Sequence, residues 1–177
     1  MSRAARSIQH NVDNISSGHD LVAAIRSVPS DFNLTHAISY ERDLWALFFS
    51  FDECTRFSVA NSLASVHNSV SRMLLSSILQ KDPSPLVRHE AAFAIGCVGD
   101  EACLPVLKNS LAGDKSFLVR HEVAMALSEL GGRDEMIVLE KGLQDKSKEV
   151  VISCRVAIQR ISEKLEHAAE MAPSAKD

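Results

Sequence analysis

The chain has 177 residues, of which 46% are hydrophobic and 24% charged, as in a globular protein of one domain. Few glycines (7), prolines (5) and aromatic residues (5%) argue against a β-sandwich or β-barrel, which needs many turns and aromatic strands. A formal net charge of −4 gives no basic field for nucleic acid, and no apolar run approaches the roughly 18 residues of a membrane span. We therefore expect a soluble, mostly helical domain that binds neither nucleic acid nor membrane.

The N-terminal third contains several apolar stretches of helical length. Residues 13–38 predict a weak helix pair around DLVAAIRSV with a turn at residues 29–30, and residues 43–51 predict an apolar helix. The stretches TRFSVANSLASV and SRMLLSSIL predict two more helices. We expect these segments to be degenerate repeats at one end of a larger array, preceded by a flexible tail over residues 1–12.

Two segments of the second half repeat each other without a gap. DPSPLVRHEAAFAIGCVGDEACLPVL begins at Asp82 and aligns, 32 residues later, with DKSFLVRHEVAMALSELGGRDEMIVL, which begins at Asp114. A third copy, DKSKEVVISCRVAIQRI, begins at Asp145 and has Val-Ile-Ser where the others have Arg-His-Glu. Self-similarity at this period is typical of stacked repeats. The three aspartates are expected in short loops before the second helix of each unit.

Apolar residues recur at helical spacing within each copy, along one helix and then along another. The members of these stripes are Ala92, Ile95, Val98, Leu104, Leu107, Leu111, Ala124, Leu127 and Leu130. Gly99 and the pair Gly131 and Gly132 follow the first helix, where left-handed C-caps are expected. Two helices in each unit, stacked on like units, predict an all-α fold, an α-solenoid of helix-pair repeats over residues 13–165. Residues 166–177 are polar and are expected to form a flexible tail.

The cysteines and the N-terminus both favour an intracellular, reduced protein. No CxxC pair and no disulfide-scaffold density is present, so free, buried thiols are expected at Cys54, Cys97, Cys103 and Cys154. The first twenty residues lack the apolar segment of a secretory signal. We expect a cytoplasmic location.

A His-Glu pair stands at the same position of two successive repeats, as His89-Glu90 and His121-Glu122. Packed helices lie about 8–10 Å apart, so the two imidazoles are expected side by side on one face, where they can share a metal ion. Neighbouring residues of a helix do not share a face, so a glutamate is expected to reach sideways to another ion. Imidazole and carboxylate donors with open positions suit non-haem iron, followed by manganese or zinc.

A solvated ridge is the alternative interpretation of the same residues. Duplication of a repeat copies its surface charges, and Arg88 could then pair with Glu90. Against this, solenoid packing does not require His-Glu twice at one position, as the third copy shows. The remaining histidines have no partner pattern and are expected at the surface or at helix caps; they are His10, His19, His36, His67 and His167.

The two His-Glu repeats carry a resemblance to a known family. LVRHEAAFAIGCVGDEACLPVL and LVRHEVAMALSELGG resemble the paired His-Glu repeats of deoxyhypusine hydroxylase, an enzyme built of HEAT-like repeats. EVVISCRVAIQRI resembles the stretch that closes each half of that enzyme, and TRFSVANSLAS resembles the helix that opens a half. The resemblance covers about residues 55–165. The repeat unit also resembles the short HEAT-like repeats of bilin-lyase-type proteins.

The resemblance implies an iron-dependent monooxygenase that uses dioxygen to hydroxylate the deoxyhypusine side chain of a translation factor. In the family, two Fe(2+) ions lie between two halves, each of which has two His-Glu motifs. By this resemblance His89 and His121 bind one iron, and Glu90 ligates the iron held mainly by the other half. Glu122 belongs to the same metal-binding group and lies nearer the substrate amine, as the catalytic carboxylate.

The chain resembles only one half of that enzyme, which leaves three explanations open. Two copies pair as a symmetric homodimer, which we favour because two-fold pairing is the commonest oligomer; or the chain pairs with a different half-length chain; or it is a diverged relative without hydroxylase activity. A non-catalytic HEAT-like scaffold that binds a protein partner on its concave face is the competing function. A bilin-lyase or chaperone-like relative is a third.

Overall fold

A computed structural model describes residues 15–28 and 38–171, without the side chains of residues 38–43. Over these ranges the chain is helical and contains no strand, so the predicted all-α fold is confirmed. The helices are α1 (Gly18–Arg26), α2 (Ile38–Ser50), α3 (Glu53–Leu63), α4 (Ser69–Lys81), α5 (Pro85–Val98), α6 (Leu104–Gly113), α7 (Phe117–Leu130), α8 (Arg133–Gly142) and α9 (Lys148–Met171), with a 3-10 turn at Glu101–Cys103.

The helices from α3 onward form two layers. Helices α3, α5, α7 and α9 pack side by side in one layer, and α4, α6 and α8 form the other. The units of the solenoid are the pairs α4–α5, α6–α7 and α8–α9, whose members pack on each other. Asp82, Asp114 and Asp145 lie between the two helices of these pairs, as predicted. Both His-Glu pairs lie in the first layer.

The hydrophobic core lies between the two layers. Most residues of the predicted stripes are buried there, among them Ala92, Ile95, Leu107, Leu111, Ala124 and Leu127. Small residues let the first-layer helices stack closely: a Cβ on Gly96 of α5 would lie 3.3 Å from both Cα and Cβ of Ala126 in α7. This close contact brings together α5 and α7, the two helices that carry the His-Glu pairs.

An arginine at the same position of α3, α5 and α7, directly before His89 and His121 in the last two, joins its repeat to the next one. The pairs are Arg56–Asp82, Arg88–Asp114 and Arg120–Asp145. In the middle pair, Nε and Nη2 of Arg88 donate to the two carboxylate oxygens of Asp114 at 2.8 and 2.9 Å, a bidentate geometry. The alternative pairing of Arg88 with Glu90 is therefore wrong, because the helix directs the guanidinium to the loop of the next repeat.

The glycines after α5 and α7 have different roles. Gly99 ends α5 in the left-handed conformation, with φ 71°, as predicted. The same prediction is wrong for Gly131 and Gly132, which are extended, with φ −76° and −121°. Lack of space explains why residue 131 is a glycine. A Cβ there would lie 2.5 Å from the carbonyl oxygen of Leu127 and 2.8 Å from the Cβ of Glu135.

The predicted N-terminal helices are present where the structure describes the chain. Helix α1 begins after Ser17, whose side chain accepts a hydrogen bond from the backbone N–H of Asp20. Helix α2 covers nearly all of residues 43–51. The predicted tail at residues 1–12 and the predicted turn at residues 29–30 lie outside the described residues.

Helix α9 continues to Met171, so the first residues of the predicted C-terminal tail are helical. The side chains of residues 166–171 are exposed, and the remaining tail residues lie outside the described ranges. None of the described helices has both the length and the apolar composition for a membrane span.

Candidate functional site

The two His-Glu pairs occupy equivalent positions near the start of α5 and α7. We call the repeat position of the histidines the His slot, occupied in successive first-layer helices by Phe57, His89, His121 and Ile152. The next position is the Glu slot, occupied by Ser58, Glu90, Glu122 and Ser153. The Arg–Asp pairs place these slots in register, because each arginine immediately precedes a His slot.

The first histidine contacts the glutamate of the following repeat. Nε2 of His89 lies 3.3 Å from Oε2 of Glu122, and both side chains are partly exposed, by 26% and 16%. The contact joins the His slot of α5 to the Glu slot of α7. The sequence predicted that the two histidines lie side by side, and it did not predict this pairing of His89 with a glutamate one repeat away.

The second histidine makes the equivalent contact with a serine. Nδ1 of His121 lies 2.5 Å from Oγ of Ser153, which occupies the Glu slot of α9. Ser153 is buried, and its hydroxyl also donates to the backbone carbonyl of Glu149 at 2.7 Å. The alignment of the third copy placed a serine in this slot but gave no sign that its hydroxyl meets the histidine.

The remaining glutamate is held inside the molecule. Glu90 is only 6% exposed, and it accepts a hydrogen bond from Nδ2 of Asn61 in α3, the preceding first-layer helix. Glu90 is thus directed toward the preceding repeat, whereas Glu122 is directed toward His89. The sequence did not point to Asn61, because the α3 repeat is too degenerate for its polar residues to be matched to those of the later copies.

Comparison with known families agrees with the geometry of the helix pairs. Residues 72–158 match the family model for HEAT repeats. This part of the chain is an α-solenoid of HEAT-like helix-pair repeats. The match begins in α4 and ends in α9, so it includes both His-Glu pairs. No curated protein matches the chain, and the finer resemblance to deoxyhypusine hydroxylase stays a prediction.

A hollow of about 350 Å³ opens beside the His89–Glu122 contact on the surface of the HEAT repeats. Its lining combines apolar and acidic side chains, namely Phe93, Gly96, Cys97, Glu122, Met125, Ala126 and Glu129. The carboxylate of Glu129 is paired with Arg160 at 3.1 Å, whereas that of Glu122 borders both the hollow and His89. An apolar wall beside a carboxylate suits a ligand with an aliphatic chain and a cationic end.

The cysteines are free, but two of them differ from the prediction of burial. Cys103 and Cys154 are buried, while Cys54 and Cys97 are exposed, because they lie on outward-facing positions of α3 and α5. Partial burial raises the pKa of the Cys97 thiol, and the negative charges of Glu122, Glu90 and Glu129 raise it further. A neutral thiol, and not a thiolate, therefore lines the hollow at neutral pH.

The described part of the chain contains no group of three or more His, Cys, Asp or Glu side chains arranged to hold a metal ion. It does place one imidazole and one carboxylate together, His89 and Glu122, and a second imidazole, His121, in the equivalent position of the next repeat. A metal site with three ligands would therefore need a further group in addition to these side chains.

Proposed function

We propose that the chain is one half of an iron-dependent monooxygenase of the deoxyhypusine hydroxylase type, which hydroxylates a lysine-derived side chain of a translation factor. The observation that supports this most is the contact of His89 with Glu122 between adjacent HEAT repeats, at 3.3 Å, with His121 at the same position of the second repeat. A solvated ridge does not require imidazole and carboxylate groups to meet between repeats. The cytoplasmic location stays a prediction.

The donor atoms fit the metal that the family uses. Two ligands bound cis to one octahedral ion, each about 2.1 Å from it, are about 3.0 Å apart, and the His89–Glu122 separation is close to this value. Histidine and carboxylate donors are the set that non-haem iron(II) oxygenases use. In such enzymes bound iron activates dioxygen: one oxygen atom enters a substrate C–H bond, and the other leaves as water with two electrons and two protons from an external reductant.

The residues of this chain would share the remaining work. His89 and His121 would hold the iron, and Glu122 would either complete that set or pair with the substrate ammonium group across the hollow. Glu90 was predicted to reach the iron of the other half, but it is only 6% exposed and is held toward Asn61 of the preceding repeat by a hydrogen bond to one of its oxygens. The contacts therefore favour Glu122 over Glu90 as the first carboxylate ligand.

A second chain would complete the site. The proposed assembly contains two irons and four His-Glu pairs, and this chain has two such pairs. A symmetric homodimer would bring the same histidines and glutamates from a second copy, whereas a different half-length chain would have to carry its own His-Glu pairs.

Metal analysis of the purified protein tests this proposal. Prepared anaerobically with Fe(2+), the wild-type chain should hold about one iron, and His89→Ala and His121→Ala should each lose it. His67→Ala is the matched control, because His67 is exposed and lies outside the His slot. Mass spectrometry of the translation factor should show the gain of one oxygen atom. Wild-type protein without iron, or His-slot variants that retain it like His67→Ala, would contradict the proposal.

A scaffold that binds a protein partner is supported by a different observation. The His slot of the two flanking repeats holds Phe57 and Ile152, which are exposed, and Phe93 is exposed beside the hollow. Such apolar residues are typical of a protein-binding face. If the chain is only a scaffold, partner binding and thermal stability should be unchanged by a chelator, whereas both should respond to Phe93→Ser.

A further inference from the structure

The hydroxyl of Ser153 has two neighbours but only one hydrogen. Its oxygen lies 2.7 Å from the carbonyl oxygen of Glu149 and 2.5 Å from Nδ1 of His121. A carbonyl oxygen can only accept, so the serine hydrogen points to Glu149. The second contact is then a hydrogen bond only if Nδ1 carries a hydrogen and donates it to the serine oxygen.

We infer that Ser153 is a positioning residue, which holds His121 in the Nδ1–H tautomer and leaves its Nε2 unprotonated, ready to bind a metal ion or to accept a proton. Among the described residues, no hydrogen bond to Nε2 of His121 is found. Ser153 is only 3% exposed, so bulk water does not compete for its oxygen. The bond of its hydroxyl to α9 keeps that oxygen in place.

The other histidine of the pair is arranged in the opposite way. His89 directs Nε2, not Nδ1, to its partner in the next repeat, and that partner is the carboxylate of Glu122, which only accepts. An Nε2–H of His89 would therefore face an acceptor, whereas Nδ1 of His121 faces a hydroxyl oxygen. The serine in the Glu slot of α9 thus gives His121 a partner for an Nδ1 hydrogen and leaves its Nε2 lone pair free in the metal-free chain.

The tautomer of His121 belongs to the metal-free chain and does not depend on the proposed function. Its consequence for metal binding does rest on that function. A hydrogen bond to the far nitrogen of a ligating imidazole orients the ring, and loss of such a partner weakens metal binding by about 10–100-fold. Ser153 would act through His121 and would not itself touch the metal.

Nitrogen NMR of the histidine side chains in the metal-free protein tests the tautomer directly. With His121 in its neutral form, its Nδ1 should give the signal of a protonated nitrogen and its Nε2 that of an unprotonated one. Ser153→Ala should move the hydrogen to Nε2 in part or in full, and Ser153→Thr, which keeps the hydroxyl, should restore Nδ1–H.

Ser162→Ala is the matched control, because the Ser162 hydroxyl makes the same type of bond on α9, to the carbonyl of Ile158 at 3.0 Å, without a histidine. It should leave the His121 signals unchanged. Wild-type His121 with its hydrogen on Nε2, or a Ser153→Ala spectrum like that of the wild type, would overturn the inference.

A titration with cobalt(II), a spectroscopic substitute for iron(II), tests the consequence. Ser153→Ala should bind about 10–100-fold more weakly than wild type, while Ser153→Thr and Ser162→Ala should stay within a few-fold of it. Equal cobalt affinity of wild type and Ser153→Ala would overturn the positioning role and leave the proposed function intact. The predicted tautomer in a wild-type chain that binds no cobalt would support the Ser153–His121 inference and contradict the proposed function.

Discussion

At the scale of single residues, the Arg–Asp pairs hold the HEAT repeats in the register that the site needs. The guanidinium of Arg120 donates to Asp145 at 2.7 and 2.8 Å and also to the backbone carbonyl of Asp114 at 2.7 Å. Only 6% of the Arg120 side chain and 13% of that of Asp145 are exposed. Removal of one partner would leave the other charge buried and unpaired, which is costly.

We expect Arg120→Ala to lower the free energy of unfolding by about 3 kcal/mol, as measured by urea denaturation. The matched control is Arg160→Ala, which breaks the half-exposed pair with Glu129 and should cost less than about 0.5 kcal/mol. Equal effects of the two substitutions would show that the buried pair does not join the repeats.

The same pair predicts how stability depends on pH. The hydrogen bond from Arg120 is the main reason that the pKa of Asp145 lies below its ordinary 3.8. A lowered folded-state pKa stabilises the protein above the ordinary pKa, and this contribution is lost as the pH falls through the folded-state pKa. Acid titrations of unfolding should therefore show a smaller loss of stability at low pH in Asp145→Asn than in wild type. A loss of equal size would contradict the assignment.

Thiol labelling tests the placement of the cysteines. In the folded protein iodoacetamide should modify Cys54 and Cys97, which are exposed, and spare Cys103 and Cys154, which are buried. Burial also raises the pKa of Cys154 to about 11, so it has almost no thiolate at neutral pH. Peptide mass spectrometry should find all four modified only after unfolding, and rapid folded-state labelling of Cys154 would contradict the packing of α9.

At the scale of helices, the end of α8 packs against α9 without room for a side chain. A Cβ on Gly142 would overlap Sγ of Cys154, whereas one on Gly113, the last residue of the equivalent helix α6, would have no neighbour within 4 Å. Neither glycine has a positive φ, so alanine is compatible with both backbones.

Gly142→Ala should therefore destabilise the protein by about 1–3 kcal/mol, the usual cost of overpacking. Gly113→Ala is its control and should be neutral or stabilising, by up to about 1 kcal/mol. Thermal unfolding of the two variants measures the difference, and a stable Gly142→Ala protein would mean that α8 and α9 lie farther apart.

The helices were predictable because repetition exposes their pattern in the sequence. The 32-residue offset and the buried stripe through Ile95 and Leu127 follow from apolar spacing alone. The contacts of His89 and His121 did not follow, because they depend on which side chain of the next helix lies opposite. The Arg–Asp pairs could have been found, since Arg56, Arg88 and Arg120 each precede an aspartate by 26 or 25 residues.

At the scale of the whole molecule, we propose that one chain carries half of an iron site. His89 and Glu122 meet within the chain. The described residues contain no group of three His, Cys, Asp or Glu side chains placed to hold a metal ion. A ligand supplied by a second chain would link metal binding to assembly, because an ion that binds only the dimer stabilises it by mass action. Mass and metal content must then change together.

Native mass spectrometry under anaerobic conditions measures both quantities at once. With Fe(2+) present we expect a dimer that carries iron, and a chelator should remove the iron and shift the population toward monomer. His89→Ala should behave like the chelated protein, and His67→Ala should behave like the wild type. A monomer that binds iron at micromolar concentration, or a dimer whose mass and stability are unaffected when iron is absent, would contradict the claim that two chains build one site.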